Sequence, residues 1–383
     1  MSFILETKNV SYNYELDGDV LKSVSAGITA GKKTVLLGPN GSGKSTLLLH
    51  FNGVLKPREG RVMFRGEPVR YDRKSLSSLR QKVCLVFQNP DDQIFAATVE
   101  EDVAFGPLNL GLPRDEVERR IEEALDTVDM AKYREKPTQQ LSFGQRKRVA
   151  LAGALAMNPE VLIMDEPTAG LDAGMVHEIM EMSEELNHKG RTVVICTHDV
   201  ETAYEWADDV ILMYEGGVLF NGSIEDLFEQ EELLHRSHLT YPIIHKLNRQ
   251  RSLRTGKPEC PRPRTLSECS QKFFESANPG AGKLYIMCVD SPGFDMRKSL
   301  KFKKHNTGAF GTRAKRAARG AGMSLHHYFY AIDQGIIKTS LGEDYLLVTE
   351  SSVVDIVMDK VRSFRSQNGT DLQVIEVTGN VLA

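Results

Sequence analysis

The sequence predicts an α/β protein built as two modules, and three observations carry that reading. Short, wholly apolar runs rich in β-branched residues recur through the first 235 residues, at 34–37, 83–87, 161–164, 193–196 and 210–213. Runs apolar on both faces are how the strands of a mainly parallel sheet read. Helical stretches lie between them, as at 113–128 and 175–189, and strand–helix alternation marks α/β architecture. The charge also divides. Residues 1–235 carry 25 Lys and Arg against 39 Asp and Glu, a net −14, whereas residues 236–383 carry 23 against 13, a net +10. Such asymmetry suggests modules with different partners.

From 236 to 282 the texture changes. KPECPRPR at 257–264 is basic and Pro-rich, and ANPGAGK at 277–283 is turn-forming, so this stretch reads as a linker with a helix at 243–253. Strands are expected at 283–290, 345–349 and 372–377, with a helix at 352–365, enough for a second small α/β domain. No internal repeat is visible. At 41% hydrophobic and 26% charged, with mean hydropathy −0.31, the composition is that of a soluble globular protein. No apolar run approaches the roughly 18 residues of a spanning helix, and MSFILETKNV has no secretory signal. Five scattered cysteines (Cys84, Cys196, Cys260, Cys269, Cys288) read as reduced thiols of a cytosolic chain.

Gly38, Pro39, Asn40, Gly41, Ser42, Gly43, Lys44 and Ser45 fit the pattern G-x4-G-K-[ST]. The glycines let the backbone bend so that successive N–H groups face phosphate oxygens. The helix that follows adds the positive end of its dipole. Lys44 is expected to reach the β- and γ-phosphates, and Ser45 to ligate Mg²⁺. The run 161–164 ends in Asp165 and Glu166. A carboxylate at the C-terminal end of such a strand meets bound ligand, which makes Asp165 a candidate metal ligand and Glu166 a candidate base. Without the loop, two solvated acids would be the plainer reading. Upstream lies Leu141-Ser-Phe-Gly-Gln145, followed by Arg146-Lys-Arg148. Alone, a Ser-x-Gly turn before a helix is a cap.

Together these motifs resemble those of ABC-type ATPases. In that family's order the chain also has Gln88 in Val86-Phe-Gln-Asn-Pro90, like the Q-loop, and Ala169-Gly-Leu-Asp172, like the D-loop. His198 in Cys196-Thr-His-Asp199 resembles the switch histidine, and Tyr14 the aromatic that stacks on adenine. The resemblance spans residues 1 to 235. The runs 88–95, 98–107 and 141–149 are similar in detail to ATP-binding subunits of energy-coupling-factor importers, the cobalt-transport type especially. Phe143 stands where the signature usually has a glycine.

The resemblance implies a P-loop ABC-type ATPase domain (1–235), a basic linker (236–282) and a smaller C-terminal α/β domain (283–383) outside the family pattern. It implies ATP hydrolysis that powers import of a solute, a transition-metal ion such as cobalt, with ATP and Mg²⁺ bound. Tyr14 and the loop through Thr46 would hold ATP, completed by Ser142, Gly144 and Gln145 of a second ATPase packed head to tail. Mg²⁺ would be held by Ser45, Gln88 and Asp165, with Glu166, His198 and Gln88 as the catalytic set. The implied partners are a homodimeric or heterodimeric ATPase, a multi-span membrane coupling subunit and a substrate-binding membrane subunit, at the cytoplasmic face of the membrane. Segment 96–106 is expected to make the membrane contact, unless its acids (Glu100, Glu101, Asp102) are simply a solvated helix start. The rival reading is a soluble ABC ATPase serving a nucleic acid or a ligand of the basic domain. Neither a long insertion before the signature nor a second ATPase domain supports it.

Between Arg297 and Arg319 nine basic residues occur without an acid. They form a solvated or docking face, or else a glycine turn and helix start at 308–316 that bind an anionic regulator. His326 and His327, near His305 and Cys288, are set aside as metal ligands because adjacent strand residues face opposite ways. Asn221-Gly-Ser223 and Asn368-Gly-Thr370 fit the glycosylation pattern but are read as turns.

Overall fold

The computed structural model describes residues 3–14, 18–273, 282–291, 294, 306–369 and 371–377. The chain divides into two compact units, Met1–Ile179 with Lys189–Tyr241, and Met180–His188 with Pro242–Ala383. Beyond Lys189 the boundary falls between Tyr241 and Pro242. The stretch expected to be a linker carries two helices of the second unit, Ile243–Thr255 and Leu266–Phe273.

The first unit opens with β1 (Phe3–Tyr12), β2 (Leu21–Thr29), β3 (Lys33–Leu37), β4 (Glu59–Phe64) and β5 (Glu67–Pro68). Strands β6 (Val83–Val86), β7 (Val161–Asp165), β8 (Thr192–Thr197), β9 (Asp209–Tyr214) and β10 (Gly217–Ser223) follow. One sheet is antiparallel, in the order β2-β1-β4-β5. The other runs β10-β9-β3-β8-β7-β6 and is parallel except at β10. Its five parallel strands are the five apolar runs. Every residue of β7 and β8 is buried, which is why those runs show no alternation. The Asn221 run lies in β10, where the Asn221 amide oxygen accepts from Gly27 N at 2.8 Å; it is a cross-sheet tether, not a turn. One core cluster joins both sheets through the helix Lys44–Phe51, whose Leu47, Leu48 and Phe51 are buried with Leu5, Val10 and Ile163. Burying each such side chain stabilises the unit by about 2 kcal/mol and fixes the helix that leaves the glycine loop.

The second unit is a parallel sheet of β11 (Lys283–Cys288), β12 (Asn306–Ala309), β13 (Tyr345–Thr349) and β14 (Gln373–Val377), in the order β12-β13-β11-β14. Leu284, Ile286 and Leu347 pack with Ile336, Val357 and Phe364 of the helices Ala331–Ser340 and Val354–Asn368. Met287, Ala309 and Val348 pack with Ala314 and Ala318 of the helix Thr312–Gly320. Alternate strand residues therefore serve two cores. Helix Leu266–Phe273 is tied to this unit by hydrogen bonds of Ser267 to Asp333 and of Ser363 to Glu268.

Residues 297–304 of the basic run, and His305, lie outside the described residues. Of the rest, Arg313 is 3.7 Å from Glu350, Lys315 is 2.5 Å from Glu181, and Arg319 donates to the Tyr328 hydroxyl at 2.7 Å. A glycine turn and helix start do occur at Gly311–Thr312. A Cβ on Gly311, however, would lie 3.0 Å from Glu185 Oε1 and 3.8 Å from Glu350 Oε1, so carboxylates flank the turn where an anion was expected. His326 and His327 sit in a loop, one 2.8 Å from Thr307 Oγ1, the other stacked on Tyr345. Among the described residues no His, Cys, Asp and Glu group is arranged to hold a metal ion.

Candidate nucleotide site

The glycine loop leaves the C-terminal end of β3 and turns into the helix Lys44–Phe51. A Cβ on Gly38 (φ 153°) would lie 2.2 Å from Met213 O of β9, so only glycine fits that close approach. Gly43 adopts φ 95° as the helix N-cap, and no side chain caps the first turn. Its amide N–H groups are therefore available to an anion. Lys44, 6% exposed, donates through Nζ to Gly38 O at 2.8 Å and Pro39 O at 3.0 Å. Ser42 Oγ is buried there without a hydrogen-bond partner.

Asp165 closes β7 in register with Cys196 of β8, and its buried Oδ1 likewise has no partner. Burial pushes the Cys196 thiol well above its usual range, and the nearby Asp165 carboxylate adds to the shift. Glu166, 8% exposed, has the left-handed backbone φ 43°, and its Oε1 is 2.9 Å from His198 Nδ1. These groups line one cleft of about 340 Å³ together with Asn40, Gly41, Ser45, Thr46 and Gln88. Gly38, Pro39 and Ser42 build the loop without lining it. Tyr14 is partly exposed beside the loop, its hydroxyl 3.4 Å from Thr46 Oγ1.

Ser142, Gly144 and Gln145 lie outside the cleft of their own chain. Ser142 is the exposed N-cap of the helix Phe143–Ala156: its Oγ accepts from Gln145 N at 3.2 Å, and Gln145 Oε1 accepts from Ser142 N at 3.0 Å. Gln145 thus has a local task in a capping box. A Cβ on Gly144 would lie 2.1 Å from Met175 Cε. Sequence reasoning missed Val20 in the cleft wall, and it named Ala169 and Cys196 only as parts of the motifs 169–172 and 196–199, without assigning them to the site. It also missed Gln93, which accepts from Phe87 N at 3.1 Å and donates to Ala150 O at 3.0 Å. With Arg146 paired to Asp91 at 2.8 Å, Gln93 ties the loop carrying Gln88 to the helix Phe143–Ala156.

The pattern of the ABC transporter family matches residues 21–169. The energy-coupling factor transporter ATP-binding protein EcfA2 of Methanospirillum hungatei is 38% identical, over 99% of this chain and 98% of its own. The chain belongs to the energy-coupling factor transporter ATP-binding proteins. EcfA of Methanocaldococcus jannaschii is 51% identical over 64% of this chain and 88% of its own length. The structure of cbiO1 from Clostridium perfringens, part of the ABC transporter complex cbiONQ, matches at TM-score 0.56 and 43% identity, covering 62% of this chain and 94% of that one. MJ0796, an ABC transporter cassette solved as a dimer, matches at TM-score 0.53 and 31% identity, covering 57% and 98%.

These likenesses bear out the ABC-type fold and the energy-coupling-factor resemblance. As a member of that family the chain is an ATP-hydrolysing subunit that powers import, with ATP and Mg²⁺ as substrate and cofactor. Of these similar proteins, cbiO1 is part of a transporter complex and MJ0796 forms a dimer. Among the described residues no helix is long and apolar enough to cross a membrane.

Proposed function

We propose that this cleft hydrolyses MgATP on the loop 38–46 and that the energy drives import of a transition-metal ion such as cobalt. The observation that carries the hydrolytic reading is Glu166, held 2.9 Å from His198 beside the unpartnered Asp165 oxygen. A buried carboxylate oxygen without a partner fits a hard cation, so Ser45, Gln88 and Asp165 would hold Mg²⁺. When bound, the ion neutralises phosphate charge. Lys44 and the first-turn amides bind the phosphates, and Tyr14 faces the adenine. Glu166 takes the proton of the attacking water, and His198 orients the carboxylate and stabilises charge. Ser142, Gly144 and Gln145 serve the nucleotide of a second ATPase, identical or related, by presenting the N-terminus of their helix.

The proposed membrane contact shifts from the acids of segment 96–106 to apolar residues within it and on its two flanks, Phe95, Phe105 and Leu108. Glu100 pairs with Arg134 at 2.7 Å, Glu101 closes a capping box with Thr98, and Asp102 accepts from the amides of Phe95 and Ala96. Phe95 and Phe105, 64% and 50% exposed, meet edge to face at 4.6 Å, and Leu108 is 57% exposed. That apolar group suits a multi-span coupling subunit at the cytoplasmic face of the membrane, acting with a substrate-binding membrane subunit. The cobalt reading rests on the resemblance of the runs 88–95, 98–107 and 141–149 to subunits of the cobalt-transport type. Its test is uptake by vesicles carrying the chain with its membrane subunits, supplied with ATP and with cobalt, nickel or vitamins in turn. ATP-dependent cobalt accumulation is expected; uptake of a vitamin alone would overturn the metal assignment.

We also propose that the second unit regulates, since every group named above for the ATP reaction comes from the first. A chain truncated after Tyr241 should bind ATP as the full chain does and differ only in control of turnover. Nucleotide titration of both forms checks this, and a folded truncate without ATP affinity would place the tail in the nucleotide site.

A further inference from the structure

We propose that Lys147 is a positioning residue for hydrolysis, locking the turn that carries Glu166 onto the helix Phe143–Ala156 and so joining the signature to the chain's own catalytic base. The inference rests on the reading of Glu166 given above. Lys147 Nζ donates to Glu166 O at 3.1 Å, Pro167 O at 3.0 Å and Ala169 O at 2.7 Å. An ammonium has three N–H donors, and here all three are spent on one four-residue turn. Lys147 is 5% exposed. A cation buried to that extent is tolerated only when its donors are satisfied. Burial pushes its pKa down to about 8, while the Glu166 charge acts in the opposite sense.

The turn needs such a clamp. Glu166 holds φ 43°, a left-handed conformation that costs a non-glycine residue energy and persists only when its surroundings impose it. Its carbonyl already accepts from Ala169 N at 3.1 Å, and Lys147 adds a second donor to the same oxygen. Phe143, one helical turn before Lys147, grips the far end. Its ring lies 5.5 Å from Lys147 Nζ and would be 3.0 Å from a Cβ on Gly170. The bulky residue in a position usually held by glycine thus packs on the catalytic turn. Lys147 does not line the nucleotide cleft. Its loss should therefore misplace Glu166 relative to His198 while leaving the phosphate loop intact.

The experiment compares ATP turnover and nucleotide affinity of the full-length chain with its Lys147→Met, Lys147→Gln and Glu166→Gln variants. Lys147→Met keeps the buried stem and removes the donors. Its kcat should fall about 10- to 100-fold while KM and affinity for ATP stay within about twofold. Lys147→Gln restores two N–H donors and should recover part of the loss. Unchanged kcat in Lys147→Met, or ATP affinity lost in step with kcat, would overturn the proposal. If Lys147→Met does not fold, Lys147→Gln decides: reduced kcat at ordinary affinity supports the clamp, and unchanged kcat refutes it. Normal turnover in Glu166→Gln would instead sink the assignment of the base. Abolished turnover there, with active Lys147 variants, would sink this inference alone.

Discussion

Glu166→Gln is expected to lower ATP turnover by about 100-fold or more while ATP affinity is kept. The amide has the size of the carboxylate but cannot accept the proton of the attacking water. The scaffold should survive the exchange. Glu166 N still donates to Cys196 O at 3.0 Å, Lys147 still holds the Glu166 carbonyl, and a side-chain oxygen remains available to His198. Because nothing in the loop 38–46 changes, the variant should load MgATP and retain it. A loaded chain then has a second expected behaviour. Ser142 and Gly144 lie outside their own cleft, so the proposed role of these residues at the γ-phosphate requires that a second ATPase present them. Sedimentation of Glu166→Gln should show a monomer without nucleotide and an associated species with MgATP, in the presence of its partner ATPase if the pair is heteromeric. Wild-type turnover would remove Glu166 from the role of base. A monomer at saturating nucleotide, with both kinds of partner supplied, would remove the sandwich.

The parts of this site that were legible in sequence are those fixed by backbone chemistry. The loop 38–45 is readable because close approach to Met213 O and a left-handed N-cap both demand glycine at particular spacings. The parallel strands are readable because β7 and β8 are buried on both faces and leave no polar alternation. The antiparallel sheet was hidden by irregular pairing: the β1–β2 register shifts three times, which breaks the period-2 pattern. In the second unit, Asn306-Thr-Gly-Ala309 lacks the β-branched run that announces a strand, so β12 went unseen. The linker reading followed composition, whereas Asn248, which donates to Glu259 O at 2.8 Å, and Glu268 tie that stretch into a fold. Lys147 and Gln93 act through backbone carbonyls and amides of distant segments, and one-dimensional spacing holds no trace of such contacts.

Lys44→Ala is expected to weaken ATP binding by about 100-fold or more, since each hydrogen bond from a charged group contributes about 1.5–3 kcal/mol. The ammonium sits at the first position of the helix Lys44–Phe51, held by two loop carbonyls with one donor to spare. Neutral carbonyls are weaker partners for it than phosphate oxygens, so it is poised to exchange them when the nucleotide enters. Removing it deletes both the charge and the donors, while the helix remains anchored by Leu47, Leu48 and Phe51. The melting temperature of the nucleotide-free chain should therefore change little. Asp165→Asn supplies the contrast. It weakens the orphan oxygen that fits the cation but leaves the phosphate cradle whole. Titration with ATP should separate the two: Lys44→Ala loses affinity with or without Mg²⁺, and Asp165→Asn loses only the Mg²⁺-dependent part. Ordinary affinity in Lys44→Ala would mean that the loop amides and the helix terminus hold the phosphates alone. Equal losses in both variants under EDTA would mean that Asp165 shapes the loop and does not hold the ion.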